Sequence, residues 1–190
     1  MKVADYIEAY LNEVNQISQL IDRAQIASTI RLLDTLKKSG GRLFILGVGG
    51  SAANASHAVN DFRKIAEIEC YAPTDNVAEL TAWTNDVGWE VVFSKWLQTS
   101  HLCEKDMLLI YSVGGGSEHT SQNLVQAMIY AKEVGAKIAA IVSRDGGYAA
   151  QVADATILIP VVSQERITPH AESWQAVVWH LIVNALDDGE

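Results

Sequence analysis

The stretch RLFILGVGGSAANASH, residues 42–57, contains the pattern that decides the fold. A short continuous apolar run, typical of a strand buried on both faces, leads directly into a glycine turn. An alanine-rich helical segment follows from Ser51 to about residue 66. The first turn of a helix leaves backbone N–H groups without partners, and such groups bind anions. The stretch therefore predicts an α/β sheet with an anion site at the end of its first strand.

The same arrangement recurs along the chain. Further apolar runs are MLLIYSVGGGS, KIAAIVSRDGG and ATILIPVV, and IECYAP at about 67–73 is a fifth candidate strand. Helical stretches are predicted at about 51–66, 87–101, 122–134, 147–153 and 169–186. Continuous apolar strands that alternate with helices indicate a parallel sheet covered on both faces. We predict a three-layer α/β sandwich with a five-stranded parallel sheet.

The N-terminal segment is predicted to be a helical extension of this sandwich. Apolar residues recur at helical spacing from about residue 2 to 37, which indicates one long helix or two with a break near 22–27. Gly40 and Gly41 end the segment. We expect residues 1–190 to form a single domain, in which segment 1–38 packs on the core or on a neighbouring subunit.

Composition narrows the classes of function. The formal net charge of −9 argues against general binding to nucleic acid or to a membrane surface, because both use basic patches. A local anion site remains open, since helix N-termini act at short range. The chain shows no signal-peptide core and no run of about 18 apolar residues, so a cytoplasmic protein is expected. Its hydrophobic content of 49% leaves apolar surface for subunit interfaces.

Two glycine turns, at 47–50 and 114–116, follow predicted strands. Both turns follow parallel strands and therefore lie at the same edge of the sheet. Ligands of open α/β sheets bind at this edge, at the carboxyl ends of the strands near the switch in strand order. Ser51 follows the first turn, and Ser112 and Ser121 flank the second. Ser51 can be a plain helix cap, but two such turns on one edge favour anion binding. Neither turn is followed by lysine, which argues against a nucleotide triphosphatase.

His57 and Asp61 are four residues apart and share one face of the helix after the first turn. Such a pair can be half of a metal site, an acid–base pair or a surface hydrogen bond. In the last predicted helix, Glu172 and His180 are eight residues apart and lie roughly on one side. His180 stands among apolar residues and can also be a core histidine. Four such ligands would suit a divalent transition metal such as zinc.

Two shorter features mark helix ends. Asn85 and Asp86 form a polar pair just before the helix predicted at 87–101, and either cap this helix or bind substrate hydroxyls. Thr168 and Pro169 resemble a cap followed by proline at the first helical position, and predict the start of the last helix.

Taken together, these segments resemble the sugar isomerase (SIS) domain. The resemblance extends over nearly the whole chain, through GVGGSAANASHAVNDF, LTAWTNDVGWEVVF, YSVGGGSEHTSQN and ITPHAESWQAVVWHLIV. More narrowly, the chain resembles the phosphoheptose isomerases, which convert D-sedoheptulose 7-phosphate to D-glycero-D-manno-heptose 7-phosphate. The glycine turns specify only the superfamily. The specific part is their combination with the histidine, the two acids and the polar pair.

The resemblance implies a flavodoxin-like fold and a role for each matching residue. It implies phosphate or substrate contacts for Gly49, Gly50, Ser51, Asn85, Asp86, Ser112 and Ser121. It implies one zinc ion per site, bound by His57, Asp61, Glu172 and His180. Asp61 and His180 also match the acid–base pair, and Glu172 is the alternative base if Asp61 binds the metal. Family members are typically homotetramers whose sites a neighbouring subunit completes, so a homotetramer is expected.

The sequence also departs from the family pattern. Val48 replaces the usual asparagine of the first turn, Asp61 the usual glutamate, and Glu172 the usual glutamine. The second turn is longer than usual, so Ser117 and Thr120 compete with Ser121 for the last phosphate contact. Phosphate binding is still expected, whereas the identity of the sugar stays open.

The expected activity is aldose–ketose isomerisation through a cis-enediol, with Asp61 and His180 as the proton-transfer groups. One alternative is a non-catalytic SIS module that senses a phosphosugar or binds a protein such as DnaA. Another is an isomerase for a different sugar phosphate. The metal and acid–base residues favour an enzyme, because a pure binding protein has no reason to hold these four side chains together.

Overall fold

Five parallel strands form one sheet in the centre of the computed structural model, which describes residues 2–187. The strands are β1 (Leu43–Leu46), β2 (Cys70–Tyr71), β3 (Met107–Tyr111), β4 (Lys137–Ser143) and β5 (Ala155–Ile159). They lie in the order β2-β1-β3-β4-β5, and each neighbouring pair is parallel. This is the flavodoxin-like order, whose switch point lies between β1 and β3. The predicted five-stranded parallel sheet is confirmed.

Helices cover both faces of the sheet. They are α1 (Val3–Leu20), α2 (Arg23–Ser39), α3 (Gly50–Lys64), α4 (Val77–Asp86), α5 (Val92–Thr99), α6 (Gln122–Val134), α7 (Gly147–Val152) and α8 (Ile167–Asp187). One apolar cluster packs α2, α3 and α8 against one face, and a second packs α5, α6 and α7 against the other. The three-layer sandwich is therefore confirmed. Within residues 2–187, no helix combines the length and apolar character needed to cross a lipid bilayer.

The strand β1 shows why the sheet needs two covered faces. Its four residues are all apolar, and none is more than 1% exposed. Leu43 and Ile45 belong to the cluster with α3 and α8, whereas Phe44 and Leu46 belong to the cluster with α5 and α6. Successive side chains of a strand point to opposite faces, so a continuous apolar run is buried only if both faces of the sheet are covered.

The N-terminal segment consists of two helices, and the break between them lies at residues 21 and 22. The Asp22 side chain caps α2, because it accepts hydrogen bonds from the backbone N–H groups of Ala24 at 2.8 Å and Gln25 at 3.3 Å. Gly40 ends α2 in the left-handed conformation, with φ of 69°. The break occurs at the beginning of the predicted window.

The region around Asn85 and Asp86 differs from the prediction. These residues are the last two of α4, a helix that the sequence analysis missed, so the alternative in which Asp86 caps a following helix is wrong. The helix predicted at 87–101 is a 3-10 turn (Trp89–Val91) followed by α5. Leu80 and Trp83 of α4 are partly buried against the apolar cluster with α5 and α6, but a helix of ten residues gives too few such positions to be predicted from periodicity.

The last helix begins two residues earlier than predicted, at Ile167, directly after the 3-10 turn Gln164–Arg166. Thr168 and Pro169 therefore lie in its first turn rather than at its cap. A proline is tolerated there, because the first four N–H groups of a helix have no partner within the helix.

Candidate active site at the carboxyl edge of the sheet

The two glycine turns lie at the carboxyl edge of the sheet, where β1 and β3 end side by side. Leu46 pairs with Ile110 in this parallel pair. The residues that follow, 47–51 and 112–117, therefore leave the sheet next to each other. This is the switch point of the strand order, at which open α/β sheets bind ligands.

The first turn presents the N-terminus of α3. Gly49 is the cap residue of this helix, with φ of 65° and ψ of −129°, a conformation that favours glycine. Ser51 lies in the first turn of the helix and is only 2% exposed. Its hydroxyl oxygen accepts a hydrogen bond from Nε2 of Gln175, at 3.0 Å. Ser51 is therefore held against α8, and the Ala52 N–H donates to the Gly49 carbonyl at 3.0 Å, whereas the N–H groups of Gly50 and Ser51 precede the first hydrogen bonds within the helix.

The second turn packs closely against the start of α7. The carbonyl oxygens of Gly115 and Gly116 accept hydrogen bonds from two backbone N–H groups of α7, at 3.0 and 2.9 Å. A Cβ on Gly115 would lie 1.9 Å from the carbonyl oxygen of Gly146. The Ser112 hydroxyl is buried and accepts a hydrogen bond from the Gly115 N–H, at 3.0 Å. Gly115 is thus required for the close backbone packing between this turn and α7.

Three hydroxyl groups stand near the end of this turn. The Ser117 N–H donates to the carbonyl oxygen of Thr120, at 2.9 Å, which closes a small loop. Ser121 caps α6 in the left-handed conformation, with φ of 53°, which is uncommon for residues other than glycine. Its side chain makes no capping hydrogen bond. Of the three, Ser121 therefore combines a constrained backbone with a side chain that does not cap its helix.

His57, Asp61 and His180 form a cluster between α3 and α8. The Oδ2 atom of Asp61 lies 3.6 Å from Nε2 of His57 and 3.4 Å from Nε2 of His180. The ligand atoms of all three side chains lie within 4.8 Å of one another. The carboxylate is buried and both imidazoles are exposed. Three of the four predicted metal ligands are thus brought together.

The hydrogen bond of His180 fixes which ring nitrogen faces the cluster. Nδ1 lies 2.7 Å from the carbonyl oxygen of Ala176. A carbonyl only accepts, so Nδ1 carries the hydrogen, and a neutral His180 directs the unprotonated Nε2 towards Asp61. A lone pair 3.4 Å from a carboxylate oxygen is unfavourable unless a proton or a cation lies between them. The arrangement therefore suits a bound cation.

Glu172 lies outside this cluster. Its half-buried carboxylate packs on Gly50, where a Cβ would stand 2.5 Å from Oε2. It is therefore located over the N-terminal end of α3. Asn85 and Asp86 are both exposed, and Nδ2 of Asn85 donates to Oδ1 of Asp86 at 2.8 Å. The structure does not bring this pair into the group formed by the two histidines and Asp61.

Three polar side chains of the site were missed by the sequence analysis. Gln175 is fully buried and joins α8 to α3, because it donates to Ser51 and accepts from Nδ2 of Asn54 at 2.9 Å. Asn54 also donates to the backbone carbonyl of Glu172, at 2.9 Å. The indole N–H of Trp179 donates to Oδ2 of Asp61, at 3.1 Å. A buried amide in an otherwise apolar stripe was the available signal for Gln175.

Comparison with known proteins gives matches along most of the chain. The family described as SIS domain matches residues 5–143. The chain belongs to the SIS domain family. A probable phosphoheptose isomerase of Thermoplasma volcanium is 32% identical over 192 residues, which cover 98% of this chain and 91% of the relative. This SIS protein is therefore homologous to phosphoheptose isomerases along nearly its whole length, α8 included.

Solved structures of the family share the fold. The phosphoheptose isomerase GmhA from Neisseria gonorrhoeae superposes with a TM-score of 0.82 at 25% identity, over 97% of each chain. A phosphoheptose isomerase from Francisella tularensis gives a TM-score of 0.83 at 21% identity, over 98% of this chain and 99% of the other. The predicted SIS fold is thus confirmed.

Proposed function

We propose that this SIS protein is an aldose–ketose isomerase that acts on a sugar phosphate. The observation that carries the proposal is the position of Asp61, whose Oδ2 atom lies 3.6 Å and 3.4 Å from the imidazole nitrogens of His57 and His180. The same helix, α3, begins at the glycine turn. Six residues separate Ser51 from His57, a rise of about 9 Å along a helix. One helix can therefore contact the phosphate at its end and the reacting carbons along its side.

The phosphate is proposed to bind at the start of α3 and at the second turn. Gly49 and Gly50 let the ligand approach the unpaired N–H groups, and the helix dipole favours the negative charge. Ser51, Ser112 and Ser121 are proposed to supply hydroxyl donors, and Asn85 and Asp86 to contact substrate hydroxyls. The hydroxyl proton of Ser51 suits this role, because within residues 2–187 the hydrogen bonds of its side chain include only the one it accepts.

A divalent cation, zinc as the first candidate, is proposed to bind to His57, Asp61 and His180. Imidazole nitrogens and a carboxylate oxygen are ligands that zinc prefers, and the unprotonated Nε2 of His180 faces the group. Glu172 joins the set only if its side chain moves from Gly50. When bound, the metal would polarise the oxygens at C1 and C2 of the sugar.

The protons are proposed to move through the side chains of the cluster. A base removes a proton from C1 of the ketose, the enediol forms, and a proton is delivered to C2. A second group takes the proton of the C1 hydroxyl and protonates the oxygen at C2, so that atoms and charge balance. Asp61 and His180 are the proposed pair; His180 acts through Nε2, which is available for proton transfer when it does not ligate the metal. Glu172 takes the role of base if Asp61 is occupied as a metal ligand.

The proposed substrate is D-sedoheptulose 7-phosphate, because the relatives that match the full chain are named phosphoheptose isomerases. The test is to incubate the purified protein, with zinc supplied, with heptose, hexose and pentose phosphates and to measure the product. The proposal expects a turnover preference for the heptulose. Turnover of another sugar phosphate alone would overturn the substrate assignment, and binding without any turnover would indicate a phosphosugar-binding module instead.

A homotetramer is part of the proposal. The helix α1 exposes Val3, Ile7 and Leu11 at helical spacing, and α8 exposes Val177 and Leu181 close to His180. Apolar surface of this kind marks subunit contacts. A neighbouring subunit would then cover the exposed imidazoles and complete the site. Sedimentation of the purified protein tests the oligomeric state.

A further inference from the structure

The indole of Trp179 touches every member of the histidine–carboxylate cluster. Its N–H group donates to Oδ2 of Asp61 at 3.1 Å. Its ring centroid lies 5.3 Å from that of His57 and 4.9 Å from that of His180, with which it is stacked. Trp179 is 1% exposed, so these contacts are made from within the core. We propose that Trp179 is a positioning residue that holds the Asp61 carboxylate and the two imidazoles in the geometry that binds the metal.

Both oxygens of the Asp61 carboxylate are held by donors. Trp179 donates to Oδ2, and Nδ2 of Asn60 donates to Oδ1 at 2.9 Å. Two donors on different oxygens fix the rotation of the carboxylate, which a single bond would leave free. Hydrogen bonds to a ligating carboxylate commonly raise metal affinity in this way. Asp61 has one methylene fewer than glutamate, so its reach is short and its orientation matters correspondingly more.

The indole of Trp179 packs against the central strand β3. The ring of Tyr111, at the end of β3, stacks on Trp179 with centroids 6.0 Å apart and an angle of 18° between the planes. Tyr111 is fully buried, and burial raises the pKa of its hydroxyl well above the ordinary value, so the ring stays neutral. Trp179 is therefore packed against the central strand of the sheet. A residue locked in this way can fix the position of the side chains that touch it.

Packing alone is the competing explanation, and substitution by phenylalanine separates the two. Phenylalanine keeps most of the buried ring and lacks the N–H group. If the indole serves only to fill the core, Trp179→Phe changes stability and leaves zinc affinity as it was. If it positions Asp61, the variant binds zinc about 10- to 100-fold more weakly, as is usual when a partner of a metal ligand is removed.

The experiment measures the zinc dissociation constant of the full-length protein by competition with a chromophoric chelator. Trp174→Phe is the matched control, because Trp174 lies on the same helix and is also buried, whereas the side-chain hydrogen bonds of Asp61 within residues 2–187 come from Asn60 and Trp179. We expect Trp179→Phe to lose about 10- to 100-fold in affinity and Trp174→Phe to stay within about 2-fold. Equal affinities of the two variants would overturn the inference.

A second measurement uses the unaltered chain and so covers the case in which Trp179→Phe does not fold. Zinc should shift the indole N–H resonance of Trp179 in the ¹⁵N-labelled protein and leave that of Trp174 in place. An unshifted Trp179 resonance in zinc-saturated protein would overturn the inference.

The role of Trp179 rests on the proposed metal site, but the isomerase activity and the role of Trp179 are refuted by different results. A wild-type protein that binds zinc without turning over a sugar phosphate would refute the isomerase and leave the role of Trp179 intact.

Discussion

The carboxylate of Glu172 rests on Gly50, at the N-terminus of α3, where a Cβ would stand 2.5 Å from Oε2. A negative side chain thus lies next to the backbone groups that are proposed to bind the phosphate. The helix dipole stabilises this carboxylate, but the carboxylate and a phosphate repel each other. This contact makes the charge of residue 172 a determinant of phosphate affinity.

Glu172→Gln is therefore expected to tighten the binding of inorganic phosphate by about two- to five-fold. This factor corresponds to about 0.3–1 kcal/mol, the usual effect of one charge at a helix end. Isothermal titration calorimetry measures the phosphate dissociation constant. The matched control is Glu165→Gln, which removes the same charge from an exposed side chain on the turn before α8. An equal gain in both variants would mean that only the net charge matters, and would contradict a local role for Glu172.

Asp61→Asn and His180→Ala are each expected to lower turnover by more than about 100-fold, the usual contribution of a positioned acid–base group. Both variants should fold, since asparagine matches aspartate in shape and His180 is exposed. The measurement is the rate of sugar phosphate isomerisation, with circular dichroism as the check on folding. Activity that survives in both variants would show that the proton-transfer groups lie elsewhere.

Substitution by alanine should leave the stability of the protein nearly unchanged at Gly50 and lower it at Gly115. At Gly50 the three atoms nearest to the new methyl group belong to the end of the flexible Glu172 side chain, so the fold should survive while phosphate affinity changes. At Gly115 it meets the backbone of Gly146 at 1.9 Å in a residue with φ of 71°, so Gly115→Ala should destabilise the protein by more than about 2 kcal/mol. Urea unfolding of both variants tests this, and equal stability losses would contradict it.

The stability of the N-terminal helix is expected to depend on pH through Glu13. A hydrogen bond from Arg166, and a further one from His170, lower the pKa of the Glu13 carboxyl to about 2, despite its burial. Because this lies below the ordinary value of 4.5, the stabilisation is fully present above pH 4.5 and is lost as the pH falls towards 2. Glu13→Gln should therefore cost about 2 kcal/mol near neutral pH and progressively less below pH 4.5.

The comparison requires urea unfolding at a fixed protein concentration at several pH values. Glu8→Gln is the matched control, because Glu8 lies on the same helix and is exposed. It should change stability little at any of these pH values. A loss on Glu13→Gln that is the same at pH 7 and pH 3 would contradict the account.

The sequence predicted the sheet, the edge on which the candidate site lies and the three residues of the histidine–carboxylate cluster. The sheet and the pairing of His57 with Asp61 follow from local periodicity and spacing, because the strands are continuous apolar runs and the two residues are one helical turn apart. The place of His180 beside them followed from the resemblance to the SIS domain. The helix α4 was missed because its ten residues are fewer than the window over which helical periodicity can be recognised. The bond between Trp179 and Asp61 was missed because it joins residues 118 positions apart, and no spacing rule within one helix reaches across the α3–α8 contact. The position of Glu172 on Gly50 depends on the same contact between two helices.

The central claim is that the chain transfers protons on a heptose phosphate at the Asp61–His180 cluster. Incubating the zinc-supplied protein with D-sedoheptulose 7-phosphate in D₂O, and following the sugar by proton NMR, tests it most directly. We expect that an aldose signal appears, that deuterium enters at C1 of the ketose and C2 of the aldose, and that Asp61→Asn and His180→Ala abolish both changes. A bound heptose phosphate that neither isomerises nor exchanges its protons with the wild-type protein would contradict the proposed isomerase activity.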